Sequence, residues 1–134
     1  MSKKVILLVD DDPDFIEIQS EILTRNGFEV ISSVNSEEAM NLLAESKVLP
    51  DLVITDVMMS TQDEGFTFCY KVKENPRTSH LPIIMLTSVN QGRKIGFDLK
   101  SPEARKWIRA DDFADKPIRP EILISKINRL LAAH

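Results

Sequence analysis

The stretch Leu52-Val53-Ile54-Thr55-Asp56-Val57-Met58-Met59 sets narrow terms for everything else in this chain. A short apolar run followed by a polar loop over residues 60–64 predicts a strand buried on both faces, as in a parallel sheet. Asp56 would then stand at the carboxyl end of a central strand, where open α/β sheets build their sites. A carboxylate placed there binds a cation or acts as a nucleophile. The other acids of the chain decide which.

Four more apolar runs support a sheet of this kind. Residues 5–9, Val-Ile-Leu-Leu-Val, read as a buried first strand. Asp10-Asp11-Asp12 follows, then Pro13, which suits the first helical position with Asp12 as N-cap. Phe15, Ile18, Ile22 and Leu23 recur at helical spacing until Asn26-Gly27 stops the helix. Residues 28–32 read as a second strand. Asn35 with Glu38 three residues later is a capping box, opening a helix with Ala39, Leu42 and Leu43 on its face and ending near Lys47. A third helix is expected over 64–75, with Phe66, Phe68, Val72 and Cys69 near its buried side, and Pro76 ends it.

Residues 81–87 form another apolar strand that ends in Thr87, with Pro82 tolerable only at its start. Residues 88–100 have weak periodicity and read mostly as loop. Ser101-Pro102-Glu103 starts a helix that runs to about Arg109. Residues 112–116 make a short fifth strand, and Pro120-Glu121 opens a last helix with Leu123, Ile127, Leu130 and Leu131 as its stripe. Five strand–helix repeats argue for an α/β fold, a doubly wound parallel sheet with helices on both faces. Right-handed crossovers would place every strand's carboxyl end on one edge. That edge would collect Asp10, Asp11, Asp56, Thr87 and Lys116.

Size and charge remove several function classes. The 134 residues fit one domain, 1–134. A net charge of −4 lacks the clustered basic face that direct nucleic-acid binding wants. The apolar runs are far too short to span a bilayer, and the acids at 10–12 cut off any signal-peptide core. Cys69 is the single cysteine, so no internal disulfide forms and a reducing cytoplasm is the expected compartment. His80 and His134 lack ligand-spaced or charged neighbours and read as neither metal ligands nor phosphotransfer groups. The basic run Arg93, Lys94, Lys100, Arg105, Lys106 and Arg109 reads as a solvated face that an acidic partner could use.

Three carboxylates crowded on one edge repel one another unless a cation lies between them. Mg2+ suits such a site, since it takes one or two carboxylates, several waters and a phosphate oxygen. Lys116 adds a mobile positive charge for a phosphoryl oxygen, and Thr87 adds a hydroxyl donor. An aspartate nucleophile beside a metal, a lysine and a hydroxyl is a constellation for making an acyl phosphate. The reaction class inferred is phosphoryl transfer to Asp56.

Val9-Asp10-Asp11-Asp12, Thr55-Asp56-Val57-Met58-Met59, Met85-Leu86-Thr87-Ser88 and Lys116-Pro117 together resemble the receiver domain of bacterial two-component response regulators. The resemblance covers essentially the whole chain. It implies a flavodoxin-like (βα)5 fold with strand order 2-1-3-4-5. By position it implies Asp56 as phosphoacceptor, and Asp11, Asp56 and the backbone carbonyl of Met58 as Mg2+ ligands, with Asp10 acting through water. Lys116 would pair with the carboxylate and then with the phosphoryl group. Thr87 would move toward the phosphoryl oxygen, and Phe113 matches the aromatic switch position. The Lys116–Pro117 bond would be cis. The implied phosphodonor is a histidine kinase or a phosphotransfer protein, and the domain would be a phosphoacceptor rather than a turnover enzyme.

The chain departs from that pattern in three places. The loop after Asp56 lacks the usual proline after Met59 and holds one residue more before Gly65. The interval from Thr87 to Lys116 is long. With Asp63-Glu64-Gly65-Phe66 and Trp107…Asp112-Phe113, these features look like a subgroup of stand-alone, chemotaxis-regulator-like receivers with no output domain. The altered region overlaps the family's signalling face, so the downstream protein is left open, as is monomer against phosphorylation-dependent dimer. Met58 and Val89 occupy positions thought to influence dephosphorylation, and neither can orient a water, so slow self-hydrolysis is expected.

Two other readings compete. Asp10-Asp11-Asp12 contains the Asp-x-Asp of haloacid-dehalogenase-type phosphatases, although Asp14 stands where that family has threonine or valine and no room is left for a cap domain. A degenerate receiver that binds partners without phosphorylation is the third, opposed by the presence of all five site residues.

Overall fold

In a computed structural model of the chain, residues 3–56, 64–87, 110–116 and 118–133 are described. Residues 60–63 of the loop expected at 60–64, the loop at 88–100, the helix at 101–109 with its basic run, the Lys116–Pro117 bond and His134 lie outside them, as does the side chain of Phe66, whereas Glu64 opens a helix.

The strands are β1 (Val5–Val9), β2 (Glu29–Ser33), β3 (Leu52–Asp56), β4 (Ile83–Thr87) and β5 (Asp112–Asp115). They pair in parallel in the order β2-β1-β3-β4-β5. Every residue of β3 and of β4 is buried, as two covered faces require. The helices are α1 (Pro13–Arg25), α2 (Ser36–Glu45), α3 (Glu64–Glu74) and α4 (Pro120–Ala133).

Alternation along the strands sorts the core into two layers. On one face Leu7, Val9, Val53, Ile83, Met85 and Phe113 pack with Ala39 and Leu43 of α2 and with Phe68, Cys69 and Val72 of α3. On the other, Ile6, Leu8, Leu52, Ile54, Ile84 and Leu86 pack with Leu23 of α1 and with Leu123, Ile127 and Leu130 of α4. This is the expected doubly wound α/β arrangement.

Local chemistry starts and stops the helices as expected. The Asp12 carboxylate accepts from the N–H groups of Asp14 and Phe15 at the start of α1. At its end Gly27 takes φ +91°, and N–H bonds run from Gly27 to Thr24 and from Phe28 to Leu23, the Schellman pattern. Asn35 accepts from the Glu38 N–H at 2.7 Å. The buried face of α1 differs from the expected one. Ile18 is 56% exposed, whereas Gln19 is buried with Leu23. Phe15 and Ile16 supply the remaining packing, and Gln19 Oε1 has no hydrogen-bond partner among the described residues. The second strand, expected at 28–32, runs Glu29–Ser33, because the Phe28 N–H is taken by the Leu23 carbonyl at the end of α1.

Candidate functional site

Strand register builds the site. Val9 of β1 lies opposite Thr55 of β3, so Asp10 and Asp56, each one residue further on, emerge side by side at the carboxyl edge. Asp56 pairs with Leu86 and Thr87 with Asp115, which brings the ends of β4 and β5 to the same edge. Carboxylate oxygens of Asp10, Asp11 and Asp56 all lie within 4.8 Å of one another. Among the described residues this is the cluster whose donors suit a metal ion. Oxygen-only donors point to a hard divalent cation.

The three acids differ in how they are held. Asp10 is fully buried. Its Oδ1 accepts from the Asp12 N–H at 2.9 Å and its Oδ2 from Lys116 Nζ at 2.7 Å. Asp11 is exposed, and among the described residues its carboxylate makes no hydrogen bond or ion pair. Asp56 is buried, and its Oδ2 accepts from Lys116 Nζ at 3.3 Å. The cluster could hold a cation, and both oxygens of Asp10 are already engaged, by the backbone and by the lysine.

Lys116 is therefore a cation held between two buried carboxylates. Burial alone would lower its pKa. The hydrogen bond to Asp10 and the charge of Asp56 outweigh that, and the ammonium stays protonated above the ordinary lysine range. Its Nζ also lies 4.2 Å from the centroid of the Phe15 ring, within cation–π range. Part of the repulsion expected among the acids is thus relieved by the protein's own side chain.

Thr87 reaches the edge but not Asp56. Its hydroxyl donates to Asp115 Oδ1 at 2.9 Å. Phe113 is buried at 3% exposure in the layer shared with α2 and α3. Met58 and Val89 lie outside the described residues. Sequence reasoning placed Asp10, Asp11, Asp56, Thr87 and Lys116 on one edge, and the structure brings all five there. It missed two neighbours: Phe15, read only as helix packing, and Asp115, whose place beside the lysine at a strand end was the available signal.

Comparison with known proteins decides the family. Residues 6–128 match the response regulator receiver domain. The chain belongs to that family. This receiver is 36% identical over 128 residues to the transcriptional regulatory protein GltR of Pseudomonas aeruginosa, covering 94% of this chain and 48% of that protein. It is 34% identical over 125 residues to the response regulator PleD of Caulobacter vibrioides, covering 93% and 25%. The receiver thus spans half or less of the length of these curated relatives. Among solved structures it is similar to a putative response regulator from Chloroflexus aurantiacus, with TM-score 0.82 and 32% identity over 98% of this chain and 99% of that one. The chemotaxis response regulator CheY4 of Vibrio cholerae gives TM-score 0.78 at 26% identity, covering 96% and 99%.

The phosphatase reading has no support from these relatives, which are response regulators and receiver domains. The second acid of its Asp-x-Asp, Asp12, caps α1. No described helix is long and apolar enough to cross a membrane.

Proposed function

We propose that residues 1–134 act as one receiver unit in a phosphorelay, with Asp56 as the residue that accepts the phosphoryl group. The observation that carries this reading is the placement of Lys116 Nζ against both Asp10 Oδ2 and Asp56 Oδ2, with the open carboxylate of Asp11 beside them. The family match and the single sheet running from β2 to β5 support the unit as a whole.

An Asp56 oxygen attacks the phosphorus of a phosphohistidine on a histidine kinase or phosphotransfer protein. The P–N bond breaks, an acyl phosphate forms, and the donor imidazole leaves and takes up a proton. Asp11, Asp56 and the carbonyl of Met58 would hold Mg2+, with Asp10 reached through water. When bound, the ion neutralises charge on the transferred phosphoryl oxygens. Lys116 stays an ammonium and follows the charge from the carboxylate to the phosphoryl group. Thr87 and Phe113 are the residues proposed to change place afterwards. Phosphorylation adds roughly −1.5 to −2 charge, and a nearly complete switch needs about 5.5 kcal/mol of differential stabilisation. Hydrogen bonds to a phosphoryl dianion and repacking of Phe113 are the proposed sources.

With Met58 and Val89 at the sequence positions thought to influence dephosphorylation, self-hydrolysis is slow, and the domain works as a phosphoacceptor in the cytoplasm. The test is incubation with acetyl phosphate and Mg2+ followed by intact mass. One phosphoryl adduct is expected on the parent chain. It should be absent in Asp56→Asn and in the presence of a chelator. An adduct that survives Asp56→Asn would place the chemistry elsewhere.

A further inference from the structure

Thr87 and Asp115 end adjacent strands in register, and the Thr87 hydroxyl donates to Asp115 Oδ1 at 2.9 Å. Resting on the reading of Asp56 as phosphoacceptor, we propose that Asp115 is a positioning residue that holds the Thr87 hydroxyl away from Asp56, so that an incoming phosphoryl group must win Thr87 from it.

A threonine hydroxyl has one proton to donate. While that proton goes to Asp115 it is not available to a phosphoryl oxygen on Asp56. The backbone holds this choice in place. Lys116 N–H donates to the Thr87 carbonyl at 2.6 Å, and the β4–β5 ladder fixes both chains up to their ends. What remains free to change is the Thr87 side chain, and a β-branched χ1 moves between staggered wells rather than sliding. The observed arrangement turns the Thr87 hydroxyl toward Asp115, and the proposal is that another staggered well turns it toward a phosphoryl group on Asp56.

Alternation adds a consequence. Met85 and Phe113 pack in the layer that faces α2 and α3. Thr87 and Asp115, two residues further along each strand, share that face. Lys116, the next residue, is on the opposite phase and turns its ammonium to Asp10 and Asp56. Consecutive residues of β5 and its exit thus do opposing things. Lys116 draws the transferred group in, and Asp115 restrains the hydroxyl that would complete its binding.

The experiment measures the rate of adduct formation with acetyl phosphate and Mg2+ in the parent, Asp115→Val, Asp115→Asn, Thr87→Val and the double variant Thr87→Val/Asp115→Val, with melting temperatures alongside. Asp115→Val removes the acceptor and should accelerate phosphorylation roughly three- to tenfold, the size of one released hydrogen bond. In the Thr87→Val background the same change should have no effect on the rate, a coupling that a merely structural role would not produce. Asp115→Asn still accepts through its amide oxygen and should stay near the parent rate. If Asp115→Asn follows Asp115→Val, the carboxylate acts through its charge on the donor and the proposal falls. It also falls if Asp115→Val phosphorylates at the parent rate, or accelerates equally with and without Thr87. Absence of an adduct on the parent chain overturns the phosphoacceptor reading itself.

Discussion

The Phe15 ring lies beneath the Lys116 ammonium, with Nζ 4.2 Å from the ring centroid. The contact ties the first turn of α1 to the residue that follows β5, at the point where Lys116 also meets Asp10 and Asp56.

Replacing Phe15 should loosen the lysine without removing its charge. A cation–π contact is worth about 0.5–2 kcal/mol. Phe15→Leu is expected to slow phosphorylation by acetyl phosphate several-fold, while Phe15→Tyr keeps close to the parent rate. Stopped-flow or quenched mass measurements on both variants check this. Equal rates for leucine and tyrosine would show the ring to be packing alone.

Lys116→Met should reverse the logic of the acid cluster. Asp10 and Asp56 are buried, and losing their shared cation leaves uncompensated charge, at a cost of about 3–5 kcal/mol. Added Mg2+ should then stabilise Lys116→Met more than it stabilises the parent, because the ion takes over part of the lysine's work. Urea unfolding of both proteins with and without Mg2+ gives the comparison. Equal gains in the two would contradict it.

Much of the fold was legible because each strand is a short apolar run and each helix carries its own punctuation. Asp12, Asn35 and Asn26-Gly27 announced their caps, and the structure shows those caps made. The buried face of α1 was not legible in the same way. Phe15, Ile16 and Ile18 crowd one stretch, so apolar spacing alone allows more than one helical phase, and packing against β1 and α4 selects the one that buries Gln19. The five edge residues could be foreseen because strand ends are readable. That Thr87 bonds Asp115, 28 residues away, depends on the β4–β5 register, which no local pattern encodes.

Gln19 gives that misjudged face a measurable consequence. Its Oε1 is buried without a partner among the described residues, and an unmet buried acceptor costs about 1–3 kcal/mol. Gln19→Met, similar in length, should stabilise the protein by about 1 kcal/mol in denaturant unfolding, with phosphorylation unchanged. A destabilised variant would mean that Gln19 contributes more through its amide group than the buried oxygen costs.

Cys69 predicts a dependence on pH. Burial pushes its thiol up to about 12, with the Lys73 ammonium opposing and Asp111 adding to the rise. The folded state therefore keeps its proton where the unfolded chain loses it. The stabilisation is fully present below about pH 9 and is lost progressively as pH rises from there toward 12. A thiol reagent at pH 8 should leave folded Cys69 unmodified and label it only on unfolding. Denaturation from pH 8 to 10 should show a decline in stability that Cys69→Ala reduces.

The sheet itself bears on how a signal leaves the site. β3 and β4 are buried along their whole length and hydrogen-bonded on both sides. Backbone amides in such strands exchange with solvent only through opening of most of the domain. Their protection should therefore be nearly the same before and after phosphorylation, and changes in exchange should begin beyond Asp56, Thr87 and Asp115. Charge added at one strand end then reaches the surface through the side chains and loops that leave that edge, while the strands behind it serve as a fixed reference.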